Sequence, residues 1–125
     1  MRYLGIDYGL KRVGLAISEG ELASPYKIIE IKNLRDGVVK IFSIWFNGKF
    51  DKIIVGLPEG DMGIATIRFV NNLKGKGVNV ETTDETLSSK QALNEMITSG
   101  VGRDQRKQDD SMAAAIILQN YLDAL

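Results

Sequence analysis

The sequence predicts an α/β domain built on a five-stranded mixed sheet, three antiparallel strands followed by parallel ones, with helices on both faces. Three observations predict it. The first eighteen residues place two apolar runs on either side of a short charged turn containing Gly9, which is the pattern of an antiparallel hairpin. The middle of the chain alternates helix-period segments with short apolar runs, as parallel strands joined through helices require. At 125 residues the chain can bury one sizeable core, so all elements belong to a single domain over residues 1–125.

Arg2–Ile6 and Arg12–Ser18 form the hairpin, joined by Asp7–Lys11, and Gly14 inside the second strand marks a bulge or a close backbone contact. Glu19-Gly20 turns the chain into a third strand, Tyr26–Ile31, with Pro25 at its entrance. Val38, Ile41, Phe42 and Trp45 recur at helical spacing, predicting a helix over Leu34–Asn47 that Gly48 ends. Trp45 lies on that stripe and reads as core rather than as a base-stacking platform. Lys52–Val55 is a short buried strand closed by Gly56-Leu57-Pro58. Ala65, Phe69, Val70 and Leu73 define a second helix, stopped by Gly75 and Gly77, and Val78–Thr82 is a fifth strand. Ser88-x-x-Gln91 fits a capping box for a third helix from Ser89 to about Ser99. A polar connector, Gly100–Asp109, leads to a last helix whose Met112–Leu118 segment is apolar on nearly every side, which predicts deep burial. The order βββαβαβαα is characteristic of the ribonuclease H-like fold, and fold alone does not establish function.

Composition narrows the chemistry. The chain has no cysteine, which excludes disulfides, iron–sulfur clusters and thiol catalysis, and no histidine, which disfavours zinc enzymes and histidine-assisted hydrolases. Catalysis must rest on carboxylates, hydroxyls, Lys, Arg and metals that prefer oxygen. Sixteen acidic residues balance sixteen basic ones, unlike a nucleic-acid coat protein, although an enzyme with an acidic metal site can act on nucleic acid at neutrality. No apolar run approaches ~20 residues and the first residues enter a strand directly, so a cytoplasmic protein without membrane attachment is expected.

Three carboxylates stand where this topology can gather them. Asp7 closes the first strand, Glu85 follows the fifth, and Asp110 opens the last helix. Converging carboxylates repel one another, a divalent cation relieves the repulsion, and an all-oxygen donor set selects Mg²⁺ or Mn²⁺. Each also has a plainer reading. Asp7 is either a ligand or a turn residue paired with Lys11 or Arg12; Glu85 is a ligand or a solvated charge; Asp110 is a ligand or an N-cap worth ~1 kcal/mol. Asp84 and Asp109 adjoin two of the candidates, so the assignment can slip by one residue. Lys11, Arg12, Lys90, Arg103, Arg106 and Lys107 are candidate phosphate contacts, or members of a charge-mixed solvated surface.

Gly5-Ile-Asp7-Tyr-Gly9-Leu-Lys11-Arg12-Val-Gly14-Leu-Ala-Ile-Ser18 resembles the opening of the YqgF (RuvX) family, described as pre-16S rRNA nucleases and Holliday-junction-resolvase homologues. The resemblance continues through Ile53-Ile-Val-Gly56-Leu-Pro58 with Gly63, through Asp84-Glu85-Thr86-Leu-Ser88-Ser89, and through Asp110-Ser-Met-Ala-Ala-Ala-Ile-Ile-Leu118-Gln-Asn-Tyr121-Leu122, spanning essentially the whole chain. It implies a ribonuclease H-like nuclease whose metal-binding residues are Asp7, Glu85 and Asp110. It also implies structured RNA at the 5′ end of immature small-subunit rRNA as substrate, and the ribosome or its precursor as partner. Cleavage of branched DNA is the alternative drawn from the resolvases.

Two departures bear on that implication. Thr86 stands where the family commonly has Arg, and the stretch between Gly63 and Phe69 is shorter than usual. Both leave the acidic set intact, and the first keeps open a catalytically weak RNA- or ribosome-binding module. A strand-Asp-x-Gly opening also occurs in actin-like and sugar-kinase-like ATPases, but those need two such lobes and this chain supplies one; stabilisation by ATP would identify that class.

Overall fold

A computed structural model describes residues 1–84 and 109–125. Within them the elements run β1 (Tyr3–Tyr8), β2 (Arg12–Ser18), β3 (Ala23–Glu30), α1 (Leu34–Asn47), β4 (Lys52–Leu57), α2 (Gly60–Gly75), β5 (Val80–Asp84) and α3 (Asp109–Asp123). The sheet order is β3-β2-β1-β4-β5; β1–β2 and β2–β3 are antiparallel, β1–β4 and β4–β5 parallel. This is the five-stranded mixed sheet expected from the sequence. The expected helix from Ser89, with its Ser88/Gln91 box, lies outside the described residues. Among the described residues no helix is long and apolar enough to cross a membrane.

Several boundaries move, each for a physical reason. β1 continues through Asp7 and Tyr8, which pair with Gly14 and Val13, so Asp7 is a ladder residue and the turn shrinks to residues 9–11. β3 starts at Ala23, and Pro25 sits inside it opposite Ala16, where the ladder slips by one residue. An edge strand tolerates proline at such a bulge because its outer N–H groups need no ladder partner. The ladder irregularity of this strand pair falls between Leu15 and Ala16, so of the two readings of Gly14 the bulge is not the one found. β4 extends to Leu57 and β5 runs from Val80 to Asp84 because the two strands pair in parallel down to Leu57 and Asp84.

Strand alternation divides the molecule into two cores. Leu4, Ile6 and Tyr8 of β1 face one side with Val13, Leu15, Ile53 and Val55, against Val38 and Ile41 of α1 and Phe69 and Leu73 of α2. Tyr3, Ala16 and Ile54 face the other side, against Ala114, Ile117 and Leu118 of α3. Trp45 packs half-buried at the margin of the first core, next to Phe42, and its indole Nε1 is buried without a hydrogen-bond partner among the described residues. Asn33 caps α1 by accepting from the Asp36 amide at 2.8 Å, and the Asp36 carboxylate accepts from the Lys32 amide at 2.8 Å.

α3 begins at Asp109, which places Asp110 within the first turn rather than at the cap. Its burial follows one stripe, with Ser111, Ala113, Ala114, Ile117 and Leu118 buried while Met112, Ala115 and Ile116 are only half-buried, so the all-round burial expected from the sequence is corrected. The helix lies unusually close to the sheet. A Cβ at Gly5 would stand 2.8 Å from Leu118 Cβ, and one at Gly14 would stand 2.0 Å from the Asp110 carbonyl oxygen. Gly14 is thus the close backbone contact its position suggested.

Gly14→Ala should therefore force α3 off the sheet and lower stability by about 1–3 kcal/mol, the usual scale of overpacking. Gly20→Ala, where an added Cβ meets nothing within 4 Å, should leave the thermal midpoint nearly unchanged. Equal midpoints for the two variants would contradict this packing.

Candidate active site

The direction of Asp7 follows from its neighbour. Tyr8 is 5% exposed and stacks on Phe69 of α2, with ring centroids 4.3 Å apart and planes 18° from parallel. Burial pushes its phenol above the ordinary value, so it remains neutral at physiological pH. With Tyr8 held in the α1–α2 core, alternation turns Asp7 to the α3 side, in line with Tyr3 and Gly5. Asp7 pairs with Gly14 in the ladder, and Gly14 carries the backbone of Asp110. Carboxylates from opposite ends of the chain are thereby brought to one place.

They line a cleft of about 350 Å³ formed by residues 7–12 and Asp110. Both carboxylates are half-buried, while Lys11 and Arg12 are exposed on the rim. Arg12 Nε lies 3.8 Å from Asp110 Oδ2, with the two side chains 51% and 32% exposed. A pair that solvated is screened, and it tempers the negative charge of the cleft more than it stabilises the fold. The turn holding these cations is tightly closed: a Cβ at Gly9 would meet the Arg12 carbonyl oxygen at 2.6 Å, and the Ile31 amide donates to the Lys11 carbonyl at 2.9 Å.

The structure thus gathers Asp7, Lys11, Arg12 and Asp110. Glu85, Lys90, Arg103, Arg106 and Lys107 lie outside the described residues. Asp84 does not join the cleft. Its ladder partner Leu57 continues the Ile53–Val80 and Val55–Thr82 register, which belongs to the α1–α2 core, so Asp84 falls on the face opposite Asp7. Among the described residues no group of three His, Cys, Asp or Glu side chains is placed to hold a metal. Two residues that sequence reasoning passed over, Lys32 and Arg68, share a concavity with Lys11. Single cations at a helix entrance and on a helix surface carry no pattern that would have singled them out.

The sequence matches the profile of the RuvX family, described as Holliday junction resolvase, over residues 1–124. The chain belongs to the RuvX family. RuvX-type relatives named "Putative pre-16S rRNA nuclease" include one from Endomicrobium trichonymphae, 37% identical over 98% of this chain and 95% of its own length. Another, from Bacillus cytotoxicus, is 38% identical over 99% of both chains. Among solved structures, the Fowlpox virus resolvase in complex with Holliday junction DNA matches with a TM-score of 0.68 at 15% identity, covering 99% of this chain and 98% of that one. RuvC of T. thermophilus in complex with a Holliday junction substrate matches with a TM-score of 0.60 at 16% identity, covering 99% and 96%. At those identities the structural likeness bears on the fold alone, and it agrees with the ribonuclease H-like order read from the RuvX-family sequence.

Because the Arg12–Asp110 pair is so exposed, Arg12→Ala should change unfolding free energy by less than about 1 kcal/mol in a denaturant titration. A loss of several kcal/mol would mean that the pair holds α3 onto the sheet.

Proposed function

We propose that this RuvX-family protein is a metal-dependent endonuclease that hydrolyses phosphodiester bonds of structured nucleic acid, with the 5′ end of pre-16S rRNA as its substrate. The observation that carries the reading is the meeting of Asp7 and Asp110 in one cleft rimmed by Lys11 and Arg12. Family membership and the names of full-length relatives support the nuclease class.

The donor chemistry fits a hard divalent cation. The chain offers no imidazole or thiolate, and the two carboxylates lining the cleft supply oxygen only. Asp7 and Asp110 would hold Mg²⁺ or Mn²⁺, with Glu85, the residue directly after β5, as the third ligand. A cation bound there contributes Lewis acidity and water activation at neutral pH. The remaining work belongs to the protein. Asp7 is fixed by the β1–β2 ladder and Asp110 by the seat of α3 on Gly14, so the carboxylates are positioned before substrate arrives. Arg12 offers a planar fork of donors to non-bridging phosphate oxygens, and Lys11 a compact charge beside it. Substrate binding would draw Arg12 from Asp110 toward the phosphate, leaving that carboxylate to the cation. Lys90, Arg103, Arg106 and Lys107 are proposed to extend the phosphate contacts.

The test offers wild type and Asp7→Asn a pre-16S 5′-leader RNA and a four-way DNA junction, in Mg²⁺ and after chelation. The expected outcome is RNA cleavage that chelation abolishes reversibly and that Asp7→Asn lowers by about a hundredfold or more, the scale of removing a group that stabilises transition-state charge. Cleavage of the junction alone would move the substrate assignment to branched DNA. RNA binding without cleavage by wild type would overturn the enzyme reading in favour of a binding module.

A further inference from the structure

A second concavity adjoins the cleft. About 390 Å³ in volume, it lies between the β1–β2 turn, the entrance of α1 and the outer surface of α2. Tyr8, Leu34 and Ala65 contribute its apolar surface, and Lys11, Lys32 and Arg68 its charge. A larger depression of about 750 Å³, bearing Lys11, Arg12 and Lys32 with Glu30 as its acidic member, lies alongside. Lys11 borders the cleft and both depressions, so the three adjoin at this residue and together mark a path across the surface.

Of the cations along this path, Arg12 is paired with Asp110, while Lys11, Lys32 and Arg68 are in no ion pair among the described residues. The other ion pairs among those residues are Arg2–Glu19, Lys40–Asp36 and Lys52–Glu81. The nearby Asp36 carboxylate is already engaged by Lys40 Nζ at 3.1 Å and by the Lys32 backbone amide. Three exposed cations thus share one concavity in a chain whose formal net charge is zero, and their mutual repulsion is relieved by a polyanion laid across them. The chemistry of the floor says which part of the polyanion. The Tyr8 ring already stacks on Phe69, Leu34 and Ala65 carry no side-chain hydrogen-bonding groups, and Asn33 Oδ1 already accepts from the Asp36 amide, so what the concavity offers is chiefly cationic donors, which suit phosphate oxygens.

We propose that Lys32 and Arg68, continuing from Lys11, hold the phosphodiester backbone of an RNA arm that leaves the cleft across the entrance of α1 and the outer face of α2. The contact is sequence-independent, sets the register of the RNA on the protein, and strengthens as salt falls. It rests on the nucleic-acid reading of the cleft and adds to that reading the direction in which substrate runs.

The experiment is fluorescence anisotropy of a labelled pre-16S 5′-leader RNA in EDTA, which prevents turnover, across a KCl series. Wild type is compared with Lys32→Ala/Arg68→Ala and with Lys74→Ala/Lys76→Ala, which removes two cations from the other end of α2. The first pair should weaken binding about tenfold near 0.1 M salt and make the slope of log affinity against log salt shallower by about 1 to 2, as loss of two phosphate contacts requires. The second pair should match wild type. Wild-type affinity and slope in Lys32→Ala/Arg68→Ala would overturn the groove and leave the nuclease reading standing, as would an equal loss in both double variants. Failure of wild type to bind this RNA at any salt would overturn both. Lys32 and Arg68 are exposed and outside both cores, so their removal should leave the melting temperature unchanged.

Discussion

The first turn of α3 rests on the bare backbone of β2, and the remainder of the candidate site depends on that contact. With the Asp110 carbonyl where a Gly14 side chain would be, the helix can descend onto the sheet only because Gly14 and, further along, Gly5 leave room. The close approach creates the second core, in which Ala114, Ile117 and Leu118 cover Tyr3, Ala16 and Ile54. It also brings the carboxylate of Asp110 to the edge where β1 ends. A larger residue at either glycine would separate the elements that carry the two acids, even with every acid retained.

Tyr8 supplies the complementary constraint from the other face. Its stacking on Phe69 commits the end of β1 to the α1–α2 core, and alternation then commits Asp7 to the α3 side. The same alternation removes Asp84 from the cleft although it lies at the corresponding edge of the sheet. Fold energetics and site geometry are therefore one problem in this chain. The apolar neighbours of the acids decide where the acids point, and the turn between Tyr8 and Val13 decides which cations meet them.

Much of this was legible in the sequence. The hairpin, the amphipathic α1 with Val38 and Ile41 on its buried face, and the parallel strands beyond it all follow from short-range periodicity. Gly14 was visible as an anomaly inside a strand, although only the structure says which of its two readings holds. The misplacements have a common origin in partners distant along the chain. Pro25 looked like a strand boundary because its tolerance depends on lying at an edge beside a bulge. The Met112–Leu118 segment looked buried all round because alanines and isoleucines do not reveal which stripe meets glycines on the sheet. Asp7, Glu85 and Asp110 come together through topology and family resemblance, and of these Asp7 and Asp110 line one cleft. Lys32 and Arg68 had no local signal at all, since their grouping with Lys11 exists only once α1 and α2 pack beside the turn.

Whether the Asp7–Asp110 cleft holds a divalent cation can be read from a crystal of the protein grown or soaked with Mn²⁺, with anomalous differences collected near the manganese edge. The expected result is an anomalous peak in this cleft, within coordinating distance of both carboxylates, that disappears in crystals of Asp7→Asn. A well-diffracting Mn²⁺-soaked crystal with no peak in the cleft, or with its manganese bound elsewhere and unaffected by the substitution, would contradict it.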